Sequence, residues 1–475
     1  MKKAILILSV LLILLPLAVG QDYYRVRKHT RISTGMDEAA AVPYEDGVVY
    51  ITESASVGFS SPSNANGRRL FTIFQYKEGG QKKPFVDELV SQQHEGPVSF
   101  SGDFNTMVFA QQRPSAANRD YDPLGLYFAE RVNEGTWTNI RAYEHNDDFA
   151  WLFSPSLSKD GKTLFFAANF EEGLGGFDIY RSQLKGGSWS EPENLGPAVN
   201  TDGHEIYPFI HPSGRLYFSS DGHDGNIAGF DLFQTAMVQG EWAQAIKLGA
   251  PFNSLSDEYH IYFEEDFKSG LLTSNKGSGS KEIFTFNTDF PTFESPEPIK
   301  KTYYKYRILD RKLDTVDTEL FRYSWVINDT LELPGHEIIY EFPDTGLYKL
   351  RLNVFDIQLD TLLEPQTFKT LHIKLNEQAV IRCPDTVAVN TPVVFDASET
   401  YLPGFDVGRY LWEFGDGIYG QGIQTTHTYY YPGKYRVKLG VEERKQNRRD
   451  EPDIRVNYKD IVVVQPDQSP RGLFP

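Results

Sequence analysis

Residues 154–166 read SPSLSKDGKTLFF, and residues 175–180 read GGFDIY. The Lys-Asp-Gly turn at 159–161 separates two short strand-like runs, and a glycine-rich loop leads into a third. Short runs of this kind, bounded by glycine turns, are typical of neighbouring strands in an antiparallel sheet. A further run is built around a tryptophan at 187–190. The stretch therefore predicts one small four-stranded sheet.

The same order of features recurs along residues 21–299. Five times, a polar pair precedes a strand-like run: Asp37-Glu38, His94-Glu95, Asp147-Asp148, His204-Glu205 and Asp257-Glu258. The second members follow one another after 57, 53, 57 and 53 residues. Four short strands repeated about every 55 residues predict a β-propeller of about five blades. Residues 23–33 resemble a fourth strand that closes the ring beside the last blade, and a sixth, degenerate blade is the alternative.

Two stretches of the repeat carry a family resemblance. Residues 154–162 and 176–180 resemble the WD-repeat-like Pro-Asp propeller repeat of TolB-type proteins. Residues 192–196 and 209–212 resemble the version of this repeat in OmpA-family proteins of Bacteroidetes. The resemblance implies a propeller that acts in the periplasm or at the outer membrane, with a role in a type IX secretion or gliding assembly.

The C-terminal third has a different pattern. FDAS at 395–398, YLWEFGDG at 410–417, THTY at 426–429 and PGKYRV at 432–437 resemble a PKD (polycystic kidney disease) module in order and spacing. The alternation of Tyr410, Trp412 and Phe414 predicts one buried strand face in a β-sandwich over 376–465. A fainter copy without the Phe-Gly-Asp-Gly element predicts a PKD-like sandwich over 300–375. We expect residues 466–475 to be disordered or captured by a partner.

The predicted fold class is therefore all-β, with a propeller of about five, or else six, four-stranded blades followed by two immunoglobulin-like PKD sandwiches. The N-terminus predicts export. Lys2 and Lys3 precede the apolar run 4–17, and small residues at 18–20 precede Gln21. This pattern indicates a cleavable signal peptide over residues 1–20, with an uncleaved anchor as the alternative. We expect the protein in the periplasm or at the outer membrane, and less readily on the cell surface.

Composition and motifs exclude several function classes. The formal charge of −18 becomes −20 once Lys2 and Lys3 are removed, which makes nucleic acid and anionic lipid poor candidates as partners. A single cysteine, Cys383, excludes a thiolate metal cluster. The sequence contains no Gly-x-Ser-x-Gly, His-Glu-x-x-His or phosphate-loop motif. We therefore expect no enzyme activity, no cofactor and no metal.

The candidate site residues are the second members of the polar pairs: Glu38, Glu95, Asp148, Glu205 and Glu258. In a closed propeller they would surround one rim of the central channel. They would either lock the ring by accepting hydrogen bonds from neighbouring backbone, or form an electronegative funnel for a cation or a basic segment of a partner.

Three function classes remain, and the third is a propeller enzyme, for which the sequence offers no identifiable catalytic set. The favoured one is a protein-protein interaction scaffold whose partner is an outer-membrane or secretion-complex component. The alternative is a surface or secreted carbohydrate-binding or adhesive protein.

Overall fold

The computed structural model describes residues 23–53, 70–86, 94–113, 123–133, 135–147, 149–226, 229–311, 316–363, 367–445 and 451–465. The predicted signal peptide and the C-terminal tail lie outside these residues. Within them the chain forms strands and turns without a helix, so none of the described segments is a helix able to cross a bilayer. The chain divides into two compact units, Met1–Pro291 and Thr292–Pro475.

The first unit contains five antiparallel sheets. Strand β1 (Tyr24–Lys28) belongs to the last of them. Sheet 1 has strands β2 (Glu38–Tyr44), β3 (Gly47–Thr52), β4 (Thr72–Lys77) and β5 (Lys83–Pro84). Sheet 2 has β6 (Glu95–Phe100), β7 (Thr106–Gln112), β8 (Leu124–Asn133) and β9 (Thr136–Ala142). Each sheet is a simple meander, as the short runs and glycine turns predict.

Sheets 3 and 4 have a fourth strand that is split into two short pieces. Sheet 3 comprises β10 (Leu152–Leu157), β11 (Thr163–Ala168), β12 (Asp178–Lys185), β13 (Ser188–Trp189) and β14 (Glu193–Asn194). Sheet 4 comprises β15 (Glu205–Ile210), β16 (Arg215–Ser220), β17 (Asp231–Val238), β18 (Glu241–Trp242) and β19 (Ile246–Lys247). Both pieces pair with the third strand of their sheet.

Sheet 5 is completed by the N-terminal strand. Its strands β20 (Glu258–Phe263), β21 (Ser269–Ser274) and β22 (Glu282–Thr288) are joined by β1, which pairs antiparallel with β22 from Tyr24↔Thr288 to Lys28↔Phe284. This confirms the predicted pairing of residues 23–33 beside the last repeat. The ammonium of Lys28 also forms an ion pair with the buried carboxylate of Glu282 at 2.5 Å.

The first strands of the five sheets are neighbours in a cyclic order. β2 contacts β6, β6 contacts β10, β10 contacts β15, β15 contacts β20, and β20 contacts β2. Each of these strands lies at the edge of its sheet and carries an irregularity in register near its start. Pro97, Pro155 and Pro208 occur at these positions, where an edge strand does not need every N–H for its ladder.

The second unit contains two sandwiches, preceded by β23 (Glu297–Pro298). In the first sandwich, β24 (Lys305–Leu309) pairs with β27 (Glu337–Glu341) to form the smaller sheet. The larger sheet contains β25 (Phe321–Ile327), β26 (Leu331–Pro334), β28 (Gly346–Asp356), β29 (Thr361–Leu362) and β30 (Thr367–Ile373). Both sheets contribute to one core around Trp325, which includes Ile308, Ile338 and Leu352.

The second sandwich has the same strand order. Its smaller sheet pairs β32 (Pro392–Asp396) with β35 (Gln424–Thr428). The larger sheet contains β31 (Thr386–Ala388), β33 (Val407–Glu413), β34 (Tyr419–Gln421), β36 (Gly433–Glu443) and β37 (Ile454–Val464), together with β23. Strand β23 pairs with β37, and the second compact unit begins at Thr292, whereas the boundary predicted from the sequence lies after residue 299.

The two sandwiches place a tryptophan in the same position. The indole N–H of Trp412 donates to the carbonyl of Gly422 at 2.9 Å, and that of Trp325 donates to the carbonyl of His336 at 3.0 Å. Trp412 and Phe414 are buried, as the alternating pattern predicts, whereas Tyr410 is half-buried. A buried indole with its N–H satisfied anchors both cores.

Candidate functional site

Four of the five candidate acids are buried, and each is the first residue of the first strand of its sheet. Glu38, Glu95, Glu205 and Glu258 are each at most 1% exposed, at the first residues of β2, β6, β15 and β20. Asp148 lies outside the described residues, and the first strand of sheet 3 begins only at Leu152. Four of the predicted site carboxylates are therefore shielded from solvent.

Four of the five polar pairs bind the backbone of a neighbouring sheet through two hydrogen bonds. Oδ1 of Asp257 accepts from the N–H of Phe230 at 3.0 Å, and the N–H of Glu258 donates to the carbonyl of Phe230 at 2.8 Å. Both members of the pair thus bind the same backbone residue. The side chain of the first member accepts from its N–H, and the N–H of the second member donates to its carbonyl. We call this arrangement the pair clamp.

The pair clamp recurs at three other junctions. Asp37-Glu38 holds Lys281, His94-Glu95 holds Phe71, and His204-Glu205 holds Phe177, with N–H to side-chain distances of 2.8, 3.2 and 3.1 Å. In the histidine cases Nδ1 is the acceptor, so the imidazole is neutral there. The clamp on Lys281 joins sheet 5 to sheet 1.

The junction between sheets 2 and 3 lacks the pair clamp, because a proline occupies the position of the N–H donor. The residue that precedes β8 is Pro123, which has no N–H to donate to an acid. Oδ1 of Asp147 instead accepts from the N–H groups of Phe149 and Ala150 at 2.6 and 3.1 Å. The guanidinium of Arg113 donates to the carbonyls of Asp147 and Ala150.

Three of the buried carboxylates accept hydrogen bonds from hydroxyl residues of their own repeat. Glu205 accepts from the N–H and Oγ1 of Thr201 at 2.8 and 2.7 Å and from Oγ of Ser220 at 2.6 Å. Glu258 accepts in the same way from Ser254 and Ser274, and Glu38 from Thr34 and Thr52. The carboxylates therefore fix the loop that leads into each first strand, while the neighbouring backbone is bound through the pair clamp.

Burial changes the protonation of these acids. Desolvation raises the pKa of Glu258 to about 7, against the opposing effect of the hydroxyl hydrogen bonds. Burial also raises the pKa values of Glu38 and Glu205. The burial of the described acids argues against an open electronegative funnel. Among the described residues, the carboxylates of Glu38, Glu205 and Glu258 bond to their own repeat, not to the neighbouring backbone that the ring-locking role requires. Their grouping on one rim stays a prediction.

Sequence analysis did not identify a set of side chains that each bind both the N–H and the carbonyl of one backbone residue, as a neighbouring strand would. The amide of Asn200 accepts from the N–H and donates to the carbonyl of Ile179, at 2.8 and 3.0 Å. Asn253 binds Leu232, Asn146 binds Leu126, and the hydroxyl of Ser33 binds Ile283 in the same double fashion. The spacing Asn/Ser-Thr/Ser-x-x-x-Glu at 33–38, 200–205 and 253–258 was the signal that could have found most of them.

A cavity of about 390 Å³ lies among the first strands of all five sheets. Its lining includes one residue from each strand irregularity, namely Ala40, Pro97, Ser154, Tyr207 and His260. Residues beyond the strand ends, Glu45, Gly102, Lys159, Pro212 and Glu264, line it as well. The cavity therefore extends toward the C-terminal ends of these strands, away from the pair clamps at their N-terminal ends.

Comparison with protein families identifies one module. The PKD domain model matches residues 376–457, which confirms the resemblance seen in the FDAS, YLWEFGDG and THTY motifs. Collagenase ColA of Clostridium perfringens is 26% identical over 220 residues, which cover 44% of this chain and 19% of the collagenase. The chain thus spans about a fifth of that curated relative.

Solved structures give distant likenesses. A prolyl endopeptidase aligns with a TM-score of 0.30 at 13% identity, over 72% of this chain and 39% of its own. A glycosyl hydrolase from Bacteroides ovatus aligns with a TM-score of 0.32 at 11% identity, over 58% of this chain and 91% of its own. Likenesses at this level carry no statement about fold or activity.

Proposed function

We propose that this chain is an exported, non-enzymatic interaction protein, in which a five-bladed β-propeller precedes two PKD-type sandwiches. The observation that carries the proposal is the matched PKD domain at 376–457, a module suited to extracellular interaction with protein or carbohydrate. The propeller is supported by the cyclic order of first strands and by the pair clamp between Lys281 and Asp37-Glu38.

The chemistry-bearing residues of the repeat support a scaffold. The polar pairs bind backbone of the preceding sheet, and the buried glutamates bind hydroxyls of their own repeat. In this arrangement the acids stabilise the sheets, and recognition falls to exposed surfaces. We propose a place in the periplasm or at the outer membrane, in a type IX secretion or gliding assembly. This compartment and assembly rest on the sequence resemblance of residues 150–235.

One exposed surface suits a protein partner. Leu347 on β28 and Phe368 on β30 are 65% and 70% exposed. Phe368 pairs with Arg351, and Leu347 pairs with His372, so these four side chains share the outward face of the larger sheet in the first sandwich. The pair Lys349 and Thr370 lies between the two apolar side chains, and an exposed face that carries apolar side chains among polar ones suits a protein partner.

The proposal is tested by cross-linking in cells that express the full chain, followed by affinity purification and mass spectrometry. We expect an outer-membrane or secretion-complex protein among the cross-linked products. The double variant Leu347→Ser and Phe368→Ser should lower its recovery several-fold. Val394→Ser, an exposed apolar position on the second sandwich, is the matched control. Recovery of polysaccharide without any protein partner would overturn the scaffold and favour the adhesive alternative.

A further inference from the structure

We propose that the cavity among the five first strands is a binding site for a short, uncharged carbohydrate. The inference concerns a different site from the exposed face that is proposed for a protein partner, so either can fail alone. The cavity of about 390 Å³ falls within the range of small-ligand pockets, about 300 to 1,000 Å³.

The walls offer aromatic surface. Phe100, Phe104, Tyr207, Phe209 and Tyr262 line the cavity. The rings of Phe209 and Tyr262 lie 4.7 Å apart, tilted by 40°. A pyranose or furanose ring presents a face of C–H groups, which packs against aromatic rings, and a rim of hydroxyl groups. The aromatic wall therefore suits one half of a sugar's surface.

A histidine in the cavity wall suits the other half. His260 lines the cavity and is 5% exposed. Burial lowers the pKa of His260 to about 4, so the imidazole is neutral near pH 7 and offers one donor and one acceptor. A ligand hydroxyl in the cavity can hydrogen-bond to the part of this ring that remains accessible.

The cavity lining also includes two serines, Ser154 and Ser156. Oγ of Ser154 accepts from the N–H of Tyr207 at 3.2 Å, and Oγ of Ser156 accepts from the N–H of Ile210 at 3.0 Å. Both serines line the cavity, and a hydroxyl whose oxygen accepts a hydrogen bond keeps its own proton to donate. Each is thus a ready donor to a ligand oxygen. A ligand with several hydroxyls can use these groups together, which an apolar peptide side chain cannot.

The charges at the cavity argue for a neutral ligand. The charged lining residues stand beyond the strand ends, and most are already paired: Glu45 with Arg131 and Lys77, and Lys159 with Glu265. A charged group inside would lose hydration without an opposite charge beside it, which is costly. Neutral sugars avoid this cost.

The backbone around the cavity is strained. Ala40, Ser154 and Tyr207 have φ values of 51°, 45° and 51°, although none is a glycine. Left-handed residues of this kind persist where surrounding structure holds them, and strand bulges often redirect side chains at binding sites. At these three positions the irregularity brings each residue to the cavity wall.

The test uses the mature full-length protein and isothermal titration. The neutral probes are glucose, galactose, mannose, xylose, arabinose, cellobiose and maltose, and the charged comparators are glucuronate and glucosamine. We expect at least one neutral sugar to bind, and its charged comparators to bind at least tenfold more weakly. His260→Leu should weaken that binding about tenfold or more, as expected for a lost buried hydrogen bond.

Two further variants separate binding from folding. Tyr207→Phe keeps the ring and removes the hydroxyl, and His336→Leu in the second unit is the matched control. We expect the first to weaken sugar binding several-fold with an unchanged melting temperature, and the second to leave it unchanged. Failure of every neutral sugar to bind, or equal binding by all variants, would overturn the proposal. Preferential binding of a proline-rich or aromatic peptide at His260 would overturn it too. Cross-linked recovery of a protein partner is a separate readout.

Discussion

Glu258 shows how one buried side chain links the repeat to pH. It accepts hydrogen bonds from Ser254 and Ser274, and burial nevertheless raises its pKa to about 7. The unfolded chain has an ordinary carboxyl pKa of about 4.3. The protonated form is therefore favoured by folding. Its contribution to the free energy of unfolding is complete below about pH 4.3 and is lost as the pH rises through about 7.

Glu258→Gln should remove this pH dependence, because the amide imitates the protonated acid. As the pH rises from about 4.5 to about 7.5, the unfolding free energy of the parent should fall by about 2–3 kcal/mol relative to that of the variant. Urea unfolding of the first unit across this range measures the difference. Glu241→Gln, at an exposed position on β18, is the control. A difference that does not change with pH would contradict the raised pKa.

Trp412 is the anchor of the second sandwich. Its side chain is fully buried, and its indole N–H donates to Gly422. Trp412→Ala should lower the free energy of unfolding by about 3–5 kcal/mol through the cavity that it leaves. Chemical denaturation of residues 292–475 measures this loss. Tyr401→Ala, at a partly exposed aromatic, should change stability by about 0.5 kcal/mol or less. Equal midpoints for the two variants would show that the core is wrongly assigned.

At the scale of the element, the pair clamp explains why a polar pair precedes each first strand. Strand propensity predicts the apolar runs, but it gives no reason for an acid or histidine just before them. The polar pair is needed at the junction between sheets. There, one residue of the neighbouring sheet, such as Phe230, offers both its N–H and its carbonyl to the pair. The exception at Pro123 fits this account, because proline cannot donate the first bond.

Asp257→Ala should weaken the junction between sheets 4 and 5. The change leaves the N–H of Phe230 without its acceptor and also removes the contact with the Asn275 amide at 2.9 Å. We expect a loss of about 1–3 kcal/mol in the unfolding free energy of the first unit. Asp257→Asn, which keeps an acceptor oxygen, should recover part of it, and Asp224→Ala on an exposed turn should have little effect. Full stability of Asp257→Ala would argue against the clamp.

At the scale of the whole molecule, export decides which partners the protein can meet. The matched PKD domain indicates an extracellular or exported protein. We expect the mature chain to begin at Gln21, since small residues at 18–20 precede it. Mass spectrometry of protein purified from its native cells, together with cell fractionation, checks this. An intact Met1 or a cytoplasmic location would contradict export.

The sequence by itself determined the strand content, the repeat interval, the place of β1 and the burial of Trp412 and Phe414. These features depend on local periodicity, turn residues and motif spacing, all of which are written within short stretches of chain. The same holds for the PKD motifs at 395–437. The polar pairs were also visible as a pattern, although their bonding role was not.

Only the tertiary structure decided what the polar pairs bind, which acids are buried and what lines the cavity among the first strands. Ala40, Ser154, Tyr207 and His260 are far apart in sequence and meet because five edge strands are neighbours in a cycle. Hydrogen bonds across sheets and the desolvation of Glu258 depend on these long-range contacts. Local periodicity does not encode these contacts. Only packing brought these residues together and determined their hydrogen bonds and burial.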